Sequence, residues 1–107
     1  MAAIPADVTQ SVEYFLNAVR REWQIEAAYL FGSYVRGQAT RWSDIDVAIV
    51  SRSPSEDLSQ ARLRMMRIAA RVDPRIEARL FAAEDFSIND PLVGEIRRSG
   101  ILLEAAS

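Results

Sequence analysis

The reading turns on Phe31-Gly32-Ser33-Tyr34-Val35-Arg36-Gly37 and, six residues on, Ser43-Asp44-Ile45-Asp46-Val47-Ala48-Ile49-Val50. Ahead of it, Glu26 to Phe31 is short, apolar and aromatic, which predicts a buried strand that stops at the turn or helix-start signal Gly32-Ser33. Asp44 to Val50 alternates at its start and then becomes β-branched and apolar. That pattern predicts a second strand with one polar end.

Working outward, Val8, Val12, Phe15, Leu16, Val19 and Trp23 recur at helical spacing and predict an amphipathic helix over 5–23. A loop over 51–55 contains Pro54, and Ser55 is a candidate cap for the next helix. Leu58, Ala61, Met65, Ile68, Ala69 and Val72 mark that helix, which Asp73-Pro74 ends. Ile76 to Phe81 alternates Ile76, Ala78 and Leu80 against Glu77, Arg79 and Phe81, a third strand. Asp90-Pro91 opens a last helix running to Ser99, with Arg97 and Arg98 near its C-terminal dipole and Gly100 as its stop. Ile101 to Leu103 adds a short edge strand. The order is helix, strand, strand, helix, strand, helix, strand, and no repeat or linker interrupts it. The expectation is a single α/β domain over 1–107.

Composition narrows the chemistry. The chain has 107 residues, 50% hydrophobic and 26% charged, which suits one globular domain and not a disordered chain. It contains no cysteine and no histidine, so disulfides, thiol nucleophiles, Cys/His zinc sites and His-based triads are excluded. All 13 basic residues are arginine, which excludes a P-loop lysine or a lysine Schiff base. A net charge of −2 argues against direct nucleic-acid binding. The longest apolar run, Ala27 to Phe31, is far short of the ~20 residues that cross a bilayer. The N-terminus has no signal-peptide pattern. A cytoplasmic domain without membrane partners is expected.

Carboxylates, hydroxyls, arginines and backbone groups remain, and they cluster. Two aspartates two apart on a strand leave the same face, repel one another and raise each other's pKa unless a cation lies between them. Such oxygen-rich sites suit Mg²⁺, completed by water and substrate phosphates. A third carboxylate on a neighbouring strand, Glu77, would allow two metals about 3.5–4 Å apart. Alone, an Asp-x-Asp is more often a turn residue beside an exposed one. Gly32 before a short helix aims backbone N–H groups at an anion, with the Ser33 hydroxyl as a further donor. Arg36 offers a charge-assisted phosphate contact, and Gly37 a turn that a Cβ would obstruct. A glycine turn with a capping serine is the plainer account of the same residues.

Together these stretches place Gly32-Ser33, ten residues, then Asp44-x-Asp46. The pattern resembles the nucleotidyltransferase signature of the DNA polymerase β superfamily. In particular it is similar to the minimal nucleotidyltransferases of prokaryotes, including MntA-type antitoxins of HEPN/MNT toxin–antitoxin pairs. The resemblance implies a small mixed sheet flanked by helices. Gly32 and Ser33, with Arg36 and Ser43, would bind the nucleotide triphosphate. Asp44 and Asp46, joined by Glu77, would be both catalytic residues and ligands of two Mg²⁺ ions, with ATP as substrate. Relatives often carry proline and histidine where this chain has Ala78 and Arg79. Arg79 shares Glu77's face and is expected to form a structural ion pair there.

The resemblance implies transfer of AMP onto an acceptor hydroxyl with release of pyrophosphate, the acceptor being a tyrosine of a cognate helical HEPN toxin, as in a type VII-like pair. Because the chain ends soon after the core, a second protein or a homo-oligomer is expected to complete the site. The alternative is a binding module with a weak or inactive site that neutralises its partner by contact alone. Phe15, Trp23, Tyr29, Phe31, Met65, Met66 and Phe81 are expected in or near the core. Trp42 is expected to pack in its loop, the competing role being purine stacking.

Overall fold

The computed structural model describes residues 4–52, 57–87 and 89–106. Its elements run α1 (Ala6–Arg20), β1 (Ile25–Phe31), α2 (Ser33–Arg36), β2 (Ile45–Ser51), α3 (Leu58–Val72), β3 (Ile76–Ala82), a 3₁₀ turn (Ala83–Asp85), α4 (Pro91–Ser99) and β4 (Ile101–Ala105). The four strands form one sheet in the order β3-β2-β1-β4. β1 runs antiparallel to both β2 and β4, whereas β2 and β3 are parallel, with α3 as the crossover between them. This is a small mixed α/β fold.

The helices form where the apolar spacing places them. Val8, Val12, Phe15, Leu16 and Val19 make the buried stripe of α1, and Ala61, Met65 and Ala69 that of α3. Both stripes pack on one face of the sheet against Ala28, Leu30, Val47, Ile49 and Leu80. α1 ends at Arg20, earlier than the periodicity implies. Trp23 still reaches the core because the turn after the helix returns its N–H to the Val19 carbonyl at 2.9 Å. Asp57 caps α3 by accepting from the Ser59 N–H at 2.8 Å, while the candidate cap Ser55 lies outside the described residues. Asp90 caps α4 in the same way, accepting from the Leu92 N–H at 2.9 Å, with Pro91 at the first helical position. Gly100 ends α4 in extended backbone, not in the left-handed cap expected of a terminal glycine.

The opposite face of the sheet has a thinner cover. Phe31, Ala48 and Val50 pack there beneath Phe86, Val93 and Ile96. Nine residues of α4 span about 14 Å, against about 23 Å for a seven-residue strand, so a layer this short leaves part of the face bare. Covered on both sides, β2 is buried at every position except Asp46, which is half-buried. Asp46 is thus the one position of β2 that reaches toward solvent.

Two aromatic and sulfur expectations are overturned. Trp42 is 82% exposed and Met66 58% exposed. Apolar character put Met66 near the core, but its neighbour Met65, which the helical spacing had selected, takes the buried position on α3 and leaves Met66 on the flank. Among the described residues no helix is long and apolar enough to cross a membrane.

Candidate active site

Pairing in the sheet brings the sequence-distant acidic residues together. Asp46 on β2 is in register with Glu77 on β3 and, on its other side, with Phe31 at the end of β1. Register partners share a face of the sheet, so Asp46 and Glu77 emerge side by side on the thinly covered face. Arg79, in register with Ala48, lies one pleat further along it. Asp44 sits one residue before β2 and is exposed, where the sequence put it inside the strand. The strand start is held by the Ile45 N–H donating to the Arg75 carbonyl at 2.8 Å.

Gly32 follows Phe31 and therefore lies against Asp46. Its φ of +85° is one that side chains rarely tolerate. A Cβ there would come within 2.2 Å of Asp46 Oδ2. The glycine thus serves two purposes, turning the chain into α2 and leaving room for the carboxylate. Gly37 closes α2 at φ +74°, and its N–H donates to the Ser33 carbonyl. No side chain caps α2, so the Ser33 hydroxyl is not spent as a helix cap.

The electrostatics of Asp46 follow from this crowding. Its pKa is raised above the ordinary 3.8, first by burial, then by the charges of Asp44 and Glu77. Arg79 and Arg36 pull it the other way. No hydrogen bond contributes to the shift. Arg79 and Arg36 do not cancel the effect of burial and of the two like charges, and the cost that remains on Asp46 is one a cation would relieve. Among the described residues no three acidic side chains converge closely enough to cage an ion unaided. The donor set instead fits a hard cation that completes its shell with water and phosphate oxygens, as Mg²⁺ does.

The remaining sequence-selected residues divide. Arg36 reaches Asp46 electrostatically while its guanidinium pairs with Glu95 at 3.3 Å, tying α2 to α4 at the rim. The Ser43 hydroxyl accepts from the Thr40 N–H at 2.7 Å, and the Trp42 N–H donates to Thr40 Oγ1 at 3.2 Å. This closed turn holds the loop just before Asp44. It also holds the Trp42 indole in solvent, with the Arg41 guanidinium 5.3 Å from the ring centre. The structural ion pair expected of Arg79 does not form among the described residues. Arg79 acts on Asp46 instead.

One contact escaped the sequence reading. The Gly32–Asp46 approach depends on the antiparallel register of β1 and β2, and no local pattern encodes that register.

Three solved structures share the fold. Two are variant forms of the MntA–HpeT toxin–antitoxin. One is 22% identical with TM-score 0.59, covering 94% of this chain and 74% of that one. The other is 24% identical with TM-score 0.60, covering 92% and 73%. The third, from Sulfolobus solfataricus and described as a candidate nucleotidyltransferase, is 19% identical with TM-score 0.56, covering 94% and 89%. A comparison with curated proteins returns no match. The model of one family, the nucleotidyltransferase domain, matches residues 12–95. That span takes in the glycine–serine turn, both aspartates and Glu77, and the chain belongs to the nucleotidyltransferase domain family.

Proposed function

We propose that the chain transfers AMP from Mg-ATP to an acceptor hydroxyl, and that the acceptor is a tyrosine of a cognate HEPN-type toxin for which it is the antitoxin in the cytoplasm. The observation that carries this reading is Asp46, half-buried, raised in pKa by that burial and then by Asp44 and Glu77, and given its space by Gly32. The family match supports nucleotidyl transfer as the reaction class. Two of the similar folds come from a toxin–antitoxin, which supports seeking the acceptor on a partner protein.

In this reading Ser33 Oγ and the free N–H groups at the start of α2 bind the triphosphate, with Arg36 at the rim. Asp44, Asp46 and Glu77 would hold two Mg²⁺ ions, which neutralise phosphate charge and lower the pKa of the acceptor hydroxyl. The hydroxyl oxygen forms a bond to the α-phosphorus as the bond from that phosphorus to the bridging oxygen breaks, and pyrophosphate leaves. The hydroxyl proton passes to the Glu77 carboxylate.

A second reading is favoured by one observation. Arg79 and Arg36 both offset the charge on Asp46, which weakens its demand for a metal. A module that neutralises its partner by contact alone would keep these residues. Intact-mass spectrometry of the protein encoded beside this one, after incubation with the chain, Mg²⁺ and ATP, decides between the two. A gain of one or more AMP units, lost with Asp44→Asn plus Asp46→Asn, is expected. A stable complex without mass gain favours contact-only neutralisation.

A further inference from the structure

The strand that carries Glu77 is an edge. β3 has β2 on one side and, among the described residues, no strand on the other. The Arg75 carbonyl accepts from β2's Ile45 N–H, so the odd-numbered positions of β3 direct their backbone groups at β2. In a parallel strand the N–H and C=O of one residue point the same way. Ala78 and Leu80 therefore direct theirs outward. Arg62 Nε donates to the Leu80 carbonyl at 3.2 Å, which confirms the direction and covers part of the edge with a movable arginine. Along the edge runs a cleft of about 370 Å³. Met65 and Met66 of α3 form one wall, Phe81 and Leu92 supply apolar surface, and Glu77 and Arg79 lie within it.

We propose that this cleft is the acceptor subsite, and that its occupant is an extended polypeptide segment of the partner protein adding to β3 as a further strand. The proposal deepens, and rests on, the nucleotidyltransferase reading. Backbone groups of Ala78 and Leu80 match an extended chain, which needs a row of hydrogen-bond partners at strand spacing. The exposed Met66 thioether adapts to apolar side chains of the segment. Arg62 and Arg79 outnumber Glu77, so the segment carries acidic residues beside its apolar ones. Arg62 leaves the Leu80 carbonyl for a carboxylate of the incoming strand. Side chains of an added strand alternate between faces, so a hydroxyl residue opposite Glu77 emerges on the face that holds Asp46.

The test uses the full chain, Mg-ATP, and a degenerate library of capped heptapeptides with a fixed central tyrosine, read by AMP mass gain. Modified peptides enriched in acidic and apolar flanking residues are expected. Ala78→Pro removes one outward N–H and spares the ladder to β2. Met66→Glu places a charge on the cleft wall and, being exposed, does not disturb folding. Each is expected to cut peptide modification at least tenfold while the Mg-ATP-induced rise in Tm stays as in the unaltered chain. Should Ala78→Pro fail to fold, Met66→Glu carries the test. Modification at the original level in Met66→Glu overturns the cleft and leaves the nucleotidyltransferase reading standing. So does an unaltered chain that modifies the folded partner or a small hydroxyl compound but no peptide. No Tm rise and no modification of any acceptor overturns both.

Discussion

Two carboxylates, Asp73 just before β3 and Asp46 beside it on β2, behave in opposite ways. Asp73, buried at the end of α3, accepts from Arg75 Nη2 at 2.9 Å, from the Arg75 N–H at 2.9 Å and from Ser11 Oγ at 2.8 Å. Arg75 also reaches Asp7 on α1 at 3.0 Å. Hydrogen bonds from Arg75 hold the Asp73 pKa down at about 2. Asp46 has the opposite shift, raised first by burial and then by two like charges, with no hydrogen-bond donor to oppose them. The Arg75 carbonyl joins the two by fixing the start of β2. A carboxylate whose partners are supplied by the fold stabilises the fold. One surrounded by like charge costs stability until a ligand arrives, and that is where function is to be sought.

The most severe way to break the contrast is Asp44→Asn with Asp46→Asn. AMP transfer is expected to fall more than 100-fold, while Tm of the metal-free chain rises or holds because repulsion is removed. A fall in both would mean the aspartates serve the fold. Gly32→Ala is next. Its Cβ meets Asp46 Oδ2 at 2.2 Å on a backbone of positive φ, so a loss of about 2–4 kcal/mol is expected in urea unfolding.

Arg75→Met leaves Asp73 buried without its main donor and is expected to cost about 2 kcal/mol at neutral pH. The sign in pH follows from the lowered pKa. Asp73's contribution is fully present above the unfolded value of 3.8 and is lost as pH falls through about 2. Urea midpoints across that window should drop in the unaltered chain and flatten in Arg75→Met. Asp46 acts oppositely in the metal-free chain. Its raised pKa means that stability rises as pH falls toward 3.8, and Asp46→Asn should remove that rise.

Ser33→Ala sharpens the comparison without disturbing the fold. Its hydroxyl caps nothing, so Mg-ATP affinity is expected to fall about tenfold, the loss of one hydrogen bond to a charged group, with Tm of the free chain unchanged. Unfolding would make Ser33 structural. The smallest effect is expected from Glu95→Gln, which breaks an exposed pair with Arg36. Stability should move by less than about 0.5 kcal/mol, and calorimetry would detect more.

Much of this was legible in the chain. Helical spacing in α1 and α3, the Asp90-Pro91 start of α4, the apolar runs of β1 and β2 and the alternation of β3 follow from local preferences and one-sided burial, which act over a few residues. The two glycines and the Asp-x-Asp pair likewise announced a site, because their chemistry is unusual at any location. The exposure of Trp42 and Met66 was not legible, since apolar character alone does not say which of two adjacent residues a core admits. Nor was the partner of Arg79, because residues sharing a strand face are near one another without being in contact.

The sequence by itself determined which residues could take part: the elements, the acidic residue types, and the exclusion of thiol, imidazole and lysine chemistry. The tertiary structure alone decided which of them meet. Register set Glu77 beside Asp46 and Gly32 against it, and a short α4 left that end of the sheet uncovered. The physical reason is that hydrogen-bond pairing between strands depends on residues dozens of positions apart, and burial depends on what packs over them. A carboxylate becomes a paired structural group or an unpaired functional one according to neighbours that its own segment does not contain.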